Sequence, residues 1–289
     1  MIILVGLTIV VLSVMGGFFL EGGYYRTLMQ WGEFVIIAGA ALGAMIVMSP
    51  RKVLFDMVAN SVAALKGNPY GRSTYEQLFQ MLYELFLTGR RNGMVALEEH
   101  ILSPQTSSIL TKYPSFLNQR QAVEFLCGGL RPIIDGRIKA DQLKVLFETE
   151  LEQMENELHA PVNVLGRVAD ALPGFGIVAA VLGIVITMAS ISGPIETIGE
   201  KVAAALVGTF LGVFLSYGVV GPMSVNLEFI AGSQIAYFSC IANCVTSFAN
   251  GMAPIMAVEI GRRGISSDVR PTAEALELML KSLAGPGKK

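Results

Sequence analysis

Charge is scarce in this sequence. Asp, Glu, Lys and Arg make up 15% of its 289 residues, against about 25% in an ordinary soluble domain. The net charge is −2, which leaves no basic excess for holding nucleic acid. Three cysteines and two histidines are too few and too dispersed for a metal centre. Cys240 and Cys244 stand one helical turn apart, but His100 and His159 are remote from them. The cysteines read as small buried hydrophobes in a reducing compartment. There is no alternating strand pattern and no repeat of fixed period. A Walker lysine, a His-Glu-x-x-His helix and a Ser/His/Asp set are also missing. GFGIVA at 174–179 matches a dinucleotide fingerprint in letters alone. It lies inside an apolar run with no strand before it, so no nucleotide site is expected there. These absences argue against an enzyme and against any resident cofactor.

What the chain does have is long apolar runs. Hydrophobic residues make up 53% of it. Charge-free stretches cover Met1–Leu20, Phe34–Pro50, Ala171–Ile195 and Val202–Leu227, each near the roughly 20 residues that cross a hydrocarbon core. The first runs straight into Glu21-Gly22-Gly23 with no basic residue before it, so an uncleaved anchor is expected. A fifth charge-free stretch, Phe229–Val258, carries Ser233, Gln234, Asn243, Thr246 and Asn250, a costly load for a helix in lipid. Of 21 Lys and Arg, 13 lie between residues 51 and 170 and six beyond 260. Basic residues favour the cytoplasmic side, so four spans with both termini inside are expected.

The expected fold is therefore all-α, an integral membrane protein with four transmembrane helices and a large helical cytoplasmic insert. The first hairpin occupies 1–50, with spans at about 2–20 and 33–50. The inner domain is 51–170. The second hairpin is 171–222, with spans at about 171–191 and 202–222, and a cytoplasmic helical tail fills 223–289. Within the insert, Ser73 or Thr74 is placed to cap a helix whose Leu78, Leu82, Leu85 and Phe86 form one stripe. Asn92 is placed to cap the next, and Lys139–His159 reads as a charged amphipathic helix.

In the third span Gly176, Ala180, Gly183 and Thr187 fall on one helix face; in the fourth, Gly208, Gly212 and Ser216 recur every four residues. Small faces let backbones approach closely in lipid. The periodicity leaves two readings open: the two spans pack on each other, or they offer a smooth surface to another helix. No Asp, Glu, Lys, Arg or His lies deep in any span; Glu33, Asp170, Glu196 and Lys201 fall at predicted edges. An ion path usually shows such a group. Any titrating group is thus expected from a partner.

DALPGFGIVAAVLGIV at 170–185, LVGTFLG at 206–212, Pro222, GRRNGMVALE at 89–98, EFVIIAGA at 33–40 and MAVEIGRR at 256–263 together resemble the MotA family of flagellar stator proteins. The likeness spans essentially the whole chain. It implies a homo-pentameric ring in the bacterial inner membrane, around two copies of MotB whose single span carries the proton-accepting aspartate. The third and fourth spans would face that pair, with Ala180 and Thr209 near the axis and Ile3 or Val10 toward lipid. The ring would turn while MotB stays anchored in peptidoglycan.

The resemblance also assigns residues. Pro173, Gly176, Ala180, Gly183, Thr187, Thr209, Tyr217 and Pro222 would line the ion pathway. For Pro173 and Pro222 a functional bend competes with plain helix termination. For Thr209, ion contact competes with bonding its own backbone. Arg90, Arg91, Glu98 and the weaker candidate Glu150 would meet the rotor protein FliG, although exposed charges are usually just a solvated face. Sodium-driven relatives carry threonine at the position of Ala180; alanine offers sodium no oxygen, so H+ is the expected coupling ion. Two rivals remain: a TolQ/ExbB-like energiser, whose layout has one span before the insert where this chain has two, and a self-contained channel or transporter.

Overall fold

The computed structural model describes residues 2–189 and 192–283. Positions 190, 191 and 284–289, where the predicted third span and the tail end, lie outside the described residues. Among the described residues there is no strand. The longer helices are α1 (Ile2–Leu20), α2 (Trp31–Met48), α3 (Arg51–Ala64), α4 (Arg72–Asn92), α5 (Arg120–Ile134), α6 (Ala140–Met188), α7 (Ile195–Leu215), α8 (Gly221–Ala249), α9 (Pro254–Arg263) and α10 (Ala273–Leu283). They form two compact units, residues 1–67 with 157–231 and residues 68–156 with 232–289. Helices α6 and α8 supply residues to both.

In the first unit apolar side chains point outward. No residue of α1 is buried, and Ile2, Leu12 and Leu20 are exposed. A helix that is apolar all round and uncovered belongs in lipid, where the backbone bonds itself and the side chains face acyl tails. Among the described residues four helical stretches are long and apolar enough to cross: Ile2–Leu20, Tyr25–Met48, Ala140–Met188 and Ile195–Ala249. The chain is thus a multi-pass membrane protein. Ile37 and Ala41 of α2 pack with Val168, Leu172 and Ala179 of α6 and Leu211 of α7.

The lipid-facing expectation for Ile3 and Val10 is corrected. Ile3 packs against Ala64, Val162 and Leu227, and Val10 abuts Gly218. Ile3, Leu7, Val10 and Val14 are the half-buried stripe of α1. In an all-apolar helix, composition does not mark which stripe meets protein.

The second unit has a conventional core. Leu78, Leu82, Leu85 and Phe86 of α4 are buried, as their spacing predicts. Tyr237, Phe238, Cys240, Ile241, Cys244 and Val245 of α8 join the same core. That explains how 229–258 is charge-free without adding a span: its apolar residues are used by a protein interior. The cysteines act as small packing groups there, with Gly261 of α9 pressed against the Cys244 sulfur.

Local capping differs from expectation. Gly71, not Ser73 or Thr74, precedes α4, and the Thr74 hydroxyl donates back to Pro69 O at 2.8 Å. Asn92 ends α4 rather than capping the next helix. The charged inner helix does not stop near His159 but continues through the span as one 49-residue helix.

Candidate functional site

The second hairpin is held by backbone against backbone. A Cβ built on Gly176 would fall 2.8 Å from Gly208 O and 3.1 Å from Gly212 Cα. One on Gly212 would fall 2.6 Å from Leu172 O, and one on Gly183 would fall 2.8 Å from Ala205 Cβ. Only glycine permits this approach, which maximises dispersion contact where water exclusion offers nothing. Of the two readings of the stripe, the observed contacts are those of internal packing. Gly176 is buried and Gly183 half-buried in that contact. Thr187 is buried too, its hydroxyl donating to Gly183 O at 2.8 Å. Ala180 and Thr209 are half-buried, and Tyr217 is exposed.

The prolines neither end a helix nor stand alone. Pro173 lies inside α6. Its missing N–H leaves the carbonyl four residues back, Ala169 O, without the usual donor. The Ser216 hydroxyl fills that vacancy from α7's end, donating to Ala169 O at 2.7 Å in a buried bond. Two turns on, Ser224 donates to Val162 O at 3.0 Å. Serine side chains are a regular means of satisfying carbonyls freed by proline in membrane helices. Before Pro222 the chain takes one π turn, Ser216–Val220, with the Gly221 N–H reaching Ser216 O. That turn absorbs the misfit, and the chain continues as α8 instead of terminating.

A stability difference follows from these bonds. Ser216→Ala leaves Ala169 O with no donor and costs about 1–3 kcal/mol. Ser224→Ala costs less, because Val162 O keeps its helical partner, the Gly166 N–H. Thermal melting of the purified protein checks this; equal melting temperatures would remove the assigned role of Ser216.

Glu33 keeps its expected place in the first turn of α2, but its side chain is not at the surface. It is 7% exposed and directed at the glycine contact. A Cβ on Gly208 would lie 2.5 Å from Glu33 Oε2, and one on Gly183 would lie 3.5 Å from Oε1. Glu33 Oε2 is buried without a hydrogen-bond partner. The expectation that this chain offers its spans no buried carboxyl is thereby corrected. Sequence missed it because a carboxylate at the start of an apolar helix resembles an ordinary first-turn acid. Near it, Tyr24, Arg26, Gln30, Glu200, Lys201 and Ala204 line a pocket of about 800 Å³. A second pocket, about 420 Å³, is lined by His159, Arg167, Asp170, Ser224 and Glu228.

In the second unit, GRRNGMVALE builds a charged corner. Gly93 takes φ +86°, a conformation suited to glycine, and so ends α4 sharply. Leu97 is fully buried, and a Cβ on Gly89 would fall 3.0 Å from both Leu97 Cδ1 and Phe248 Cζ. These apolar anchors leave Arg90, Arg91 and Glu98 exposed. The arginines sit in the last turn of α4 and Glu98 in the first turn of a short helix, Glu98–Leu102, each at the terminus its charge favours. Glu150 is exposed on α6.

A feature missed from sequence lies in MAVEIGRR. Arg262 is 8% exposed; its Nε and Nη2 donate to the two Glu259 oxygens at 2.7 and 2.8 Å. Its Nη1 donates to Pro271 O at 3.0 Å, and Arg263 Nε reaches Glu259 Oε1 at 2.8 Å. The Arg262 bonds, opposed by burial and aided by Arg263, hold the Glu259 carboxyl down to about 2. The i,i+3 spacing of Glu259 and Arg262 was the available signal; burial was not.

Comparison with known proteins covers most of the chain. Residues 4–93 match the family model for the motility protein A N-terminal region. Residues 118–238 match that for the MotA/TolQ/ExbB proton channel family. Motility protein A of Salmonella typhimurium is 36% identical over 289 residues, covering 100% of this chain and 98% of that one. Motility protein A of Escherichia coli is 35% identical over 286 residues, 99% and 97% of the two chains. Chemotaxis protein LafT of Vibrio parahaemolyticus is 36% identical over 280 residues, 97% and 98%. In fold, the chain is similar to C. jejuni MotAB, with a TM-score of 0.77 at 20% identity over 94% of this chain and 98% of that one. The MotAB stator complex of Bacillus subtilis gives 0.72 at 23% identity, over 89% and 92%.

Proposed function

The chain belongs to the motility protein A family, and from that premise we propose that it is the ring-forming subunit of a proton-driven flagellar motor stator. The observation that carries this reading is the end-to-end match to motility protein A, 36% identical over 289 residues. The match of residues 4–93 to the N-terminal motility model favours it over a TolQ/ExbB-like energiser, as do two spans before the insert.

In this reading five copies surround two MotB spans in the bacterial inner membrane, with both termini cytoplasmic. MotB supplies an aspartate at the axis. Helices α6 and α7 face it through Ala180 and Thr209, whose partial burial within one chain leaves surface for a partner. Each proton crossing a potential of about 100 mV releases roughly 2.3 kcal/mol. Neutralising the aspartate changes its preferred contact with the ring, and the ring steps around the anchored pair. Arg90, Arg91, Glu98 and Glu150 carry that motion to FliG; their exposure supports this assignment. The reaction is transport without covalent catalysis. The coupling ion is H+, since Ala180 offers no oxygen to replace a sodium ion's water.

Deleting the gene and restoring it tests the reading. Deleted cells should be non-motile with intact filaments, and the restored chain should return swimming. Speed should be insensitive to external sodium at fixed membrane potential and collapse with a protonophore. Deleted cells that still swim, or sodium-dependent swimming in restored cells, would contradict the stator role or the proton assignment respectively.

A further inference from the structure

We propose that Glu33 is a proton-binding site within this chain's own ion path, lying between the pocket near Arg26 and Lys201 and the glycine contact of α6 with α7. The inference rests on the stator reading for its place in a path; the site itself stands on geometry.

Four observations converge. Glu33 is 7% exposed, and its Oε2 has no hydrogen-bond partner. A buried ionised carboxylate with no donor is costly, and a proton removes both the charge and the cost. Oε2 lies over bare backbone: a side chain at Gly208 would occupy the space it uses, and one at Gly183 would come into contact with Oε1. The small-residue stripe is thus a cradle for a carboxyl as well as a packing face. Finally, the pocket is one helical turn from Glu33 on both sides, since Gln30 precedes Glu33 by three residues and Ala204 precedes Gly208 by four.

Three charged side chains line the pocket. Arg26 lies in the connection before α2, and Glu200 and Lys201 lie on α7; all three line the pocket. Beyond Lys201 no charged residue occurs until Glu228, and on α6 none follows Asp170. A proton entering the pocket therefore meets one buried carboxyl before the apolar faces of the hairpin. The built Cβ of Gly208 that meets Glu33 Oε2 also lies 3.3 Å from the backbone N of Ala180, and Thr209 is the next residue along α7. Glu33 is placed to hand the proton toward the surface assigned to the partner.

Glu33→Gln keeps the shape and removes the titration. In the restored deletion strain it should accumulate in the membrane and retain the partner subunit, while swimming speed falls by about tenfold. Speed close to that of the unaltered chain, at external pH on both sides of neutrality, would overturn the proposal. Should Glu33→Gln fail to accumulate, Glu33→Asp takes its place; slowed, pH-dependent swimming is expected, and normal pH-independent swimming overturns the proposal. A second measurement makes no appeal to motility. Infrared spectra of the purified chain should show the carbonyl band of a protonated acid that Glu33→Gln or Glu33→Asp removes or shifts; no change in that band overturns the site. Failure of the unaltered chain to restore swimming would instead strike the stator reading.

Discussion

Gly212→Ala should force α6 and α7 apart and leave little intact protein in the membrane. The added methyl would lie 2.6 Å from Leu172 O and 2.8 Å from Gly176 Cα. Both are backbone atoms, so no side chain can turn away and the helices themselves must separate. Separation loosens the Gly176 contact and lengthens the Ser216 bond to Ala169 O. Overpacking of this kind costs roughly 1–3 kcal/mol, and more where backbone must move. Gly174→Ala is the control: it lies on the same helix, with nothing within 4 Å of its built Cβ, and gains helix propensity of up to about 1 kcal/mol. Melting temperature and membrane abundance should fall for Gly212→Ala and hold or rise for Gly174→Ala. If both variants behave alike, the close backbone contact is not what holds the hairpin.

Arg262→Ala should destabilise the second unit by about 3–5 kcal/mol, the usual cost of stranding one member of a buried ion pair. Glu259 would keep only the exposed Arg263, and Pro271 O would lose its donor. The same pair predicts an acid response. The folded Glu259 carboxyl titrates at about 2, below its ordinary value of 4.5. A depressed carboxyl contributes stability that is fully present above the unfolded value and lost as pH falls through the folded one. The contribution is a few kcal/mol, and it should fade between about pH 4.5 and 2. Melting curves across that range check the sign. Arg262→Ala should melt at lower temperature near neutral pH and lose less on acidification. An acid profile identical to that of the unaltered chain would remove Glu259 from this role.

Much of the helical layout was legible because one-dimensional patterns report solvent. Charge-free runs of membrane length marked the four spans, and the stripe of Leu78, Leu82, Leu85 and Phe86 marked a core-facing helix that is buried as expected. The stretch 229–258 was separable from a span by its polar load. Helix ends were less legible. Pro173 and Pro222 could each be read as a stop or a bend, because whether a proline ends a helix depends on what satisfies the freed carbonyl. That partner, Ser216, is 47 residues from Ala169.

Composition and periodicity by themselves determined that this is a four-span helical membrane protein with small-faced spans, while the charged stretch Arg90–Glu98 stood out only through the family resemblance. Each of those properties is set by residues near in sequence and by the medium they face. Tertiary structure alone decided what the small faces touch and which acid is buried. Gly176, Gly208 and Gly212 are spent on each other, Ile3 and Val10 turn inward, and Glu33 is carried from a helix end into the glycine contact. In an apolar helix every face has nearly the same affinity for lipid, so pattern cannot choose among them. The choice is made by close packing between backbones distant in sequence, and it leaves the buried Glu33 Oε2 without a hydrogen-bond partner.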